Sequence, residues 1–327
     1  MKMLQAIISS PKIIELKQVE VPRPKDGEVL IKMKCNAVCG SEFSAFLGHA
    51  TANPYYLGIA KYPYGPFGHE GTGEIVELGQ GVNGFHIGDR IAGMDIGSYA
   101  GYCIVPVESM IKIPDGITYQ EASLVTTVGE TYWVINELLK INSEDTVFIS
   151  GMGSTGLLLL EQARNAGVKK IICADLNEYR IKLAKELGST LSVNPAGEDV
   201  QAVVKSLADN GVSVSIDTTG VEQSIVNAVK AAAKFAKVGL FGRPIKPIKD
   251  FMIEDLFHNM LTVYGAKCRP EVYDVKYAKK AIELIGKKKI HSDKIISHEF
   301  TLEKIQEAFE SAAIKKEGIK VLVKCSD

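Results

Sequence analysis

The sequence predicts an α/β protein: a β-rich domain assembled from both ends of the chain, with a doubly wound parallel-sheet domain inserted between them. Three features predict it. Up to about residue 120, short β-rich runs alternate with Gly and Pro turn signals. From about residue 140, apolar strands alternate with helical segments, the pattern of right-handed βαβ units and a parallel sheet covered on both faces. The final stretch returns to a helix and a closing strand.

Taken in order, the run from Met3 to Ile8 predicts a first strand. Val29 to Met33, Gly73 to Glu77 and Gly101 to Val105 predict further strands of an antiparallel barrel or sandwich. Thr146 to Ser150 predicts the first strand of the inserted sheet, followed by a helix from Thr155 to Ala166. Ile171 to Ala174 predicts a strand, and Asn177 to Leu187 a helix that stops at Gly188. Val212 to Ile216, Val238 to Phe241 and Leu261 to Tyr264 predict three more strands, with a helix after Gly220. Val275 to Ile285 predicts a helix and Ile319 to Lys324 the closing strand. The domains that follow are 1–125 with 267–327, and 126–266.

Composition excludes several functions. The chain has 327 residues, with 38 Lys and Arg against 39 Asp and Glu. A net charge of -1 offers no general attraction for nucleic acid or anionic membrane. Aromatic content of 7% with Trp133 the single tryptophan argues against a base-stacking platform. The amino-terminal apolar run is too short for a secretory signal, and the stretch Leu157 to Leu160 is far below the ~20 residues of a membrane span. Six cysteines are too sparse for a disulfide scaffold and read as thiols or ligands, which fits a cytoplasmic protein.

Gly151-Met152-Gly153-Ser154-Thr155-Gly156 falls between a predicted strand and a predicted helix. The first glycine permits the tight turn, the second lets backbone approach a pyrophosphate, and the third permits close helix–strand packing. The helix amino terminus then presents N–H donors and positive dipole to the anion. Asp175, at the end of the next strand, is placed to accept the adenosine ribose hydroxyls and to repel a 2′-phosphate, which favours NAD over NADP. Arg180 is a second candidate contact to the dinucleotide.

Cys39-Gly40-Ser41-Glu42 and Gly68-His69-Glu70-Gly71 both lie in the β-rich part. A thiolate, an imidazole and a carboxylate are the ligand types of a catalytic zinc, which keeps one position open. Such a metal acts as a Lewis acid on an alcohol or carbonyl oxygen. Ser41, two residues from Cys39, is placed to carry the proton of that oxygen.

With these elements, and with Gly88-Asp89-Arg90-Ile91 and the closing Ile319-Lys320-Val321-Leu322-Val323, essentially the whole chain resembles the zinc-dependent medium-chain dehydrogenases/reductases, the alcohol and polyol dehydrogenase group (sorbitol and threonine dehydrogenase-like). The resemblance implies a GroES-like catalytic domain and a Rossmann NAD-binding domain. It implies an enzyme that transfers hydride between NAD and a small secondary alcohol or polyol, or its ketone. It makes Cys39, His69 and Glu70 the metal ligands and Ser41 part of the proton relay, and it implies a homodimer or homotetramer. Two other readings stay open: a metal-free reductase of enones or quinones, and a catalytically silent NAD(H)-binding protein.

The chain departs from the family pattern in three places. The position that often supplies a further ligand is Thr126 or Thr127, with Glu130 a candidate outer partner. The four-cysteine structural-zinc lobe is missing between Gly93 and Tyr102, so one zinc per chain is expected. The usual relay histidine is Ser44, and His49 reads as a surface residue. The segment Gly48 to Pro66 carries Tyr55, Tyr56, Tyr62 and Tyr64, and reads equally as a substrate-shaping loop or as a packed surface loop. Lys287-Lys288-Lys289 reads as a solvated connection and Cys35 as strand core.

Overall fold

The computed structural model describes residues 1–49, 61–244, 247–249, 253–266, 274–315 and 318–326. The chain divides into two compact units, Met1–Gly129 with Arg269–Asp327, and Glu130–Cys268.

In the first unit, β1 (Lys2–Ser10) and β2 (Ile13–Glu20) pair antiparallel on their own. The main sheet uses β3 (Glu28–Ala37), β4 (Gly71–Leu78), β5 (Arg90–Gly93), β6 (Tyr102–Pro106) and β7 (Met110–Lys112). The second unit supplies β8 (Thr146–Ser150), β9 (Lys170–Ala174), β10 (Leu191–Val193), β11 (Val212–Asp217), β12 (Ala232–Leu240) and β13 (Thr262–Gly265). The chain then returns to the first unit with the helix Val275–Gly286, β14 (Ile296–Thr301) and β15 (Lys320–Lys324).

The main sheet of the first unit runs β14-β15-β3-β4-β5-β7, with β6 also on β3. β3 is its central strand. One edge pairs with β4, and the other is shared by β6 at the start and β15 at the end. That is why β3 is buried along most of its length, polar Asn36 included. The sheet is antiparallel as its short runs and turns predict, except that β14 and β15 are parallel. A helical crossover through residues 302–315 separates that pair, which a parallel connection requires. β2 escapes a sequence reading because Ile13–Glu20 is largely exposed and polar.

An aromatic cluster joins the two ends of the chain. Phe309, from the returning segment, lies 5.3 Å from Phe46, 5.6 Å from Phe67 and 5.5 Å from Tyr99, centroid to centroid. Phe46, Tyr99 and Phe309 are fully buried, with tilted or edge-on rings that suit their quadrupoles.

In the second unit the sheet order is β10-β9-β8-β11-β12-β13 and every pair is parallel. The helices Ser154–Asn165, Glu178–Glu186, Val200–Leu207, Glu222–Ala231 and Ile253–Asn259 connect successive strands. Strand order reverses between β8 and β11, and ligands of such sheets bind at the carboxyl ends beside that point. β12 begins at Ala232, earlier than the Val238 start its apolar residues predict. Its alanines carry little strand signal, and it is the pairing with β11 that draws them into the sheet. Among the described residues no helix is long and apolar enough to cross a membrane.

Phe309→Ala removes the ring that touches the other three aromatics. It is expected to lower stability by about 3–5 kcal/mol, read by scanning calorimetry against the parent chain.

Candidate metal and dinucleotide sites

Strand register explains why residues thirty positions apart meet. Asn36 pairs with Gly71, and the Ala37 amide donates to the Glu70 carbonyl at 2.9 Å. The segments beyond this last rung, 38–42 and 67–70, therefore emerge side by side. The side chains of Cys39, His69 and Glu70 each offer a ligand atom there, all within 4.8 Å of one another. Ser41 is exposed, and its Oγ lies 3.3 Å from both Cys39 Sγ and His69 Nε2.

Behind them sits a layer of buried polar groups. Cys39 caps a single 3₁₀ turn, Gly40–Glu42, and Glu42 Oε2 accepts both the Cys39 amide at 3.2 Å and the Tyr99 hydroxyl at 2.9 Å. Its other oxygen faces His69 Nδ1 at 3.3 Å. Burial acts to lower the His69 pKa. The neighbouring Cys39 and Glu42 outweigh it and hold the imidazole well above its ordinary value. Glu70 forms an ion pair with Lys320 and accepts the Thr127 hydroxyl at 2.9 Å. Lys320 and Glu70 are both about 2% exposed. Burial alone would lower the Lys320 pKa, yet Glu70, followed by Cys39 and Glu42, keeps it above the usual lysine value.

The remaining sequence candidates divide clearly. Thr126 donates its hydroxyl to the Gly93 carbonyl at 3.0 Å and Thr127 donates to Glu70, so both hydroxyls act within the protein's own network. Ser44 donates to the Ser41 carbonyl at 3.2 Å, and His49 is exposed. Of the Gly48 to Pro66 segment, Tyr55 and Tyr56 lie outside the described residues. Tyr62 donates to the Ala45 carbonyl at 2.6 Å and exposed Tyr64 bridges to Ile8 through its backbone. Burial pushes the Cys35 thiol up to about 12 and Cys103 up to about 11, and lifts Cys173 and Cys325 further still, which leaves these four as unreactive core groups.

Glu42, Tyr99 and Lys320 support the donor set and escape the sequence reading. Glu42 had a signal: it stands three residues after Cys39, the offset at which a side chain returns to a cap amide. Lys320 had one too, as a charge between apolar Ile319 and the apolar run Val321 to Val323. Tyr99 had none. Asp95 precedes Ile96, which bridges Glu70; burial raises the Asp95 carboxyl above the usual range and His69 opposes that shift.

The glycine turn leaves β8 and enters the helix Ser154–Asn165, for which Gly153 is the cap. Gly151 has φ +95°, a region that favours glycine, and a Cβ at Gly156 would collide with the Gly151 carbonyl oxygen. Asp175, just past β9, accepts the Met152 amide at 2.6 Å through Oδ2 and the Asn177 amide at 2.8 Å through Oδ1. Each oxygen keeps a further lone pair. Arg180 Nη1 lies 3.9 Å from Asp175 Oδ2 and 4.0 Å from where a Gly153 Cβ would stand. Ser154 and Thr155 open the helix, with their backbone amides in its first turn.

Comparisons with known proteins agree with this architecture. Residues 25–115 match the alcohol dehydrogenase GroES-like domain and residues 154–286 match the zinc-binding dehydrogenase family. The L-threonine 3-dehydrogenase of Pyrococcus horikoshii is 30% identical, with 93% of each chain aligned. The sorbitol dehydrogenase of Halalkalibacterium halodurans is 29% identical over 93% of this chain and 94% of its own. The 2R,3R-butanediol dehydrogenase of Bacillus subtilis superposes with a TM-score of 0.84 at 24% identity, covering 98% of this chain and 99% of the other. The chain belongs to the zinc-dependent medium-chain dehydrogenase/reductase family. It is an oxidoreductase of the alcohol and polyol dehydrogenase class.

Two outcomes follow from this geometry. Glu42→Gln removes the charge facing Nδ1, so the His69 pKa in metal-free protein is expected to fall, as a histidine proton titration by NMR will read. Gly156→Ala forces the turn apart, and is expected to cost at least about 1–3 kcal/mol and to abolish dinucleotide binding, read by unfolding and by nucleotide fluorescence.

Proposed function

We propose that the chain oxidises a small secondary alcohol of the diol, polyol or amino-alcohol kind to its ketone, with NAD as hydride acceptor, and that Cys39, His69 and Glu70 hold one catalytic zinc. One observation carries the reading: a thiol, an imidazole and a carboxylate converge within 4.8 Å, a donor set that fits zinc. L-threonine, sorbitol and butanediol, the compounds named for its relatives, each bear a second polar group beside the alcohol.

The overall change is simple. The carbinol carbon gives up hydride with its bonding electrons, the hydroxyl gives up a proton, and a carbonyl forms, leaving reduced nicotinamide as the other product. A bound zinc supplies the Lewis acidity that makes such an alcohol acidic near neutral pH. Everything else falls to the chain. Ser41, exposed beside Cys39 and His69, takes the hydroxyl proton and passes it toward solvent. Glu42 faces His69 Nδ1 at 3.3 Å as its ion-pair partner, which leaves Nε2 as the nitrogen that would meet a metal. Lys320 offsets the charge of buried Glu70. The Thr126 hydroxyl is committed to a backbone carbonyl and would not compete with substrate for the metal.

In the second unit, Gly151, Gly153, Ser154, Thr155 and Gly156 cradle the pyrophosphate, and Arg180 adds positive charge beside it. The free lone pairs of Asp175 take the ribose hydroxyls, and its charge excludes a 2′-phosphate. A metal-free reductase has no use for three such donors in one place. Family likeness further supports a homodimer or homotetramer, and the sparse cysteines a cytoplasmic setting.

The deciding experiment measures zinc content and NAD reduction on one sample, across diols, polyols and amino alcohols. We expect one zinc per chain, NAD strongly preferred over NADP, and activity lost on chelation. Cys39→Ser is expected to lose the metal and at least about a hundredfold in kcat/KM. Gently purified protein with neither zinc nor turnover overturns the proposal.

A further inference from the structure

The geometry points to Asp95 as the residue that chooses the substrate: its carboxylate binds the protonated amine of an alcohol that carries this amine on the neighbouring carbon. The inference rests on the alcohol-oxidising site proposed above and names the substrate class within it.

Asp95 interrupts a well-anchored segment. Met94 and Ile96 on either side are buried, the Met94 amide donates to the Ser109 carbonyl at 3.1 Å, and the Ile96 carbonyl accepts the Gly71 amide at 2.7 Å. Ile96 also bridges Glu70, so the segment is tied directly to the donor set. Between these fixed neighbours Asp95 alone is exposed, and it holds φ +58°, a left-handed conformation that Asp tolerates better than most residues. Among the described residues its carboxylate makes no hydrogen bond or ion pair. The parallel Glu70–Ile96 bridge sets Asp95 opposite His69 in register, and the charges of the two interact. An alcohol oxygen at the donor set therefore has Asp95 within reach of its substituents.

The sign of the surroundings selects among polar substituents. Cys39, Glu42, Glu70 and Asp95 bear negative charge when ionised, and buried Lys320 together with a bound divalent zinc would offset three of those four charges. A substrate carboxylate placed beside Asp95 is repelled by it. A second hydroxyl gains an ordinary hydrogen bond, whereas an ammonium gains a charge-assisted one to a carboxylate that no protein group already neutralises. The preferred substrate is thus a vicinal amino alcohol with no acid group of its own, oxidised to the amino ketone.

The test compares isopropanolamine with propylene glycol, which differ only in the ammonium and hydroxyl on the neighbouring carbon. Wild-type holoenzyme is expected to favour the amine, and Asp95→Asn to lower its kcat/KM about tenfold through KM, with the glycol changed less than about twofold. Asp95→Gly, which keeps the left-handed backbone and removes the carboxylate, is expected to match Asp95→Asn. Calorimetric binding of both compounds to the same proteins reads the preference without turnover. Equal effects on the two compounds, or no preference for the amine in the wild type by rate and by binding, overturn the role of Asp95 while leaving glycol oxidation intact. Failure to turn over any alcohol, with amine binding still lost in both variants, would instead count against the proposed reaction and leave the Asp95 assignment standing.

Discussion

The antiparallel ladder between β3 and β4 governs everything chemical in the first unit. Its last rungs, Asn36 with Gly71 and Ala37 with Glu70, decide which side chains emerge together beyond the sheet. Side chains alternate faces along a strand, so a slip of one residue would send every group on β4 to the opposite side. Two features hold the register: irregularities between Leu30 and Ile31 and between Met33 and Cys35, and the near-complete burial of β3 between its neighbours.

Buried charge is the second constraint, and it depends on the first. Glu42, Glu70 and Lys320 are removed from water, which is costly unless each charge has a partner and its remaining lone pairs are satisfied. Here the partners are shared: Glu42 serves an amide, a phenol and an imidazole, and Glu70 serves an ammonium and a threonine hydroxyl. Sharing makes the layer rigid. The imidazole and thiol in front of it are positioned by the Glu42 ion pair and by the turn that Glu42 closes onto the Cys39 amide.

Much of this is legible in the sequence, and the rest has physical reasons for being hidden. Cys39, His69 and Glu70 are readable because ligand chemistry demands those residue types. The glycine turn is readable because pyrophosphate binding demands backbone without side chains, and Asp175 because a ribose demands an acceptor. Lys320 pairs with Glu70 from the far end of the chain, and Tyr99 reaches Glu42 across fifty-seven positions, and no local pattern encodes such contacts. The strands follow the same division. β8 and β9 announce themselves through continuous apolar runs, because both their faces are covered. β2 is polar and exposed, β10 is three residues long, and the first half of β12 is alanine-rich, so each exists through pairing rather than through propensity. Asp95 carries no local signal in the sequence.

The placement of β15 has a consequence for how the molecule is made. The outer edge of β3 at Cys35, Asn36 and Ala37 is closed by Lys324, Val323 and Leu322, which leave the ribosome only after the whole inserted unit. Until then the nascent chain carries an open strand edge and a glutamate without its ammonium, while the inserted unit, whose contacts are local by comparison, is free to fold. Translation that stops early therefore yields a nucleotide-binding fold attached to an unfinished sheet, a product that is sticky and inert rather than partly active.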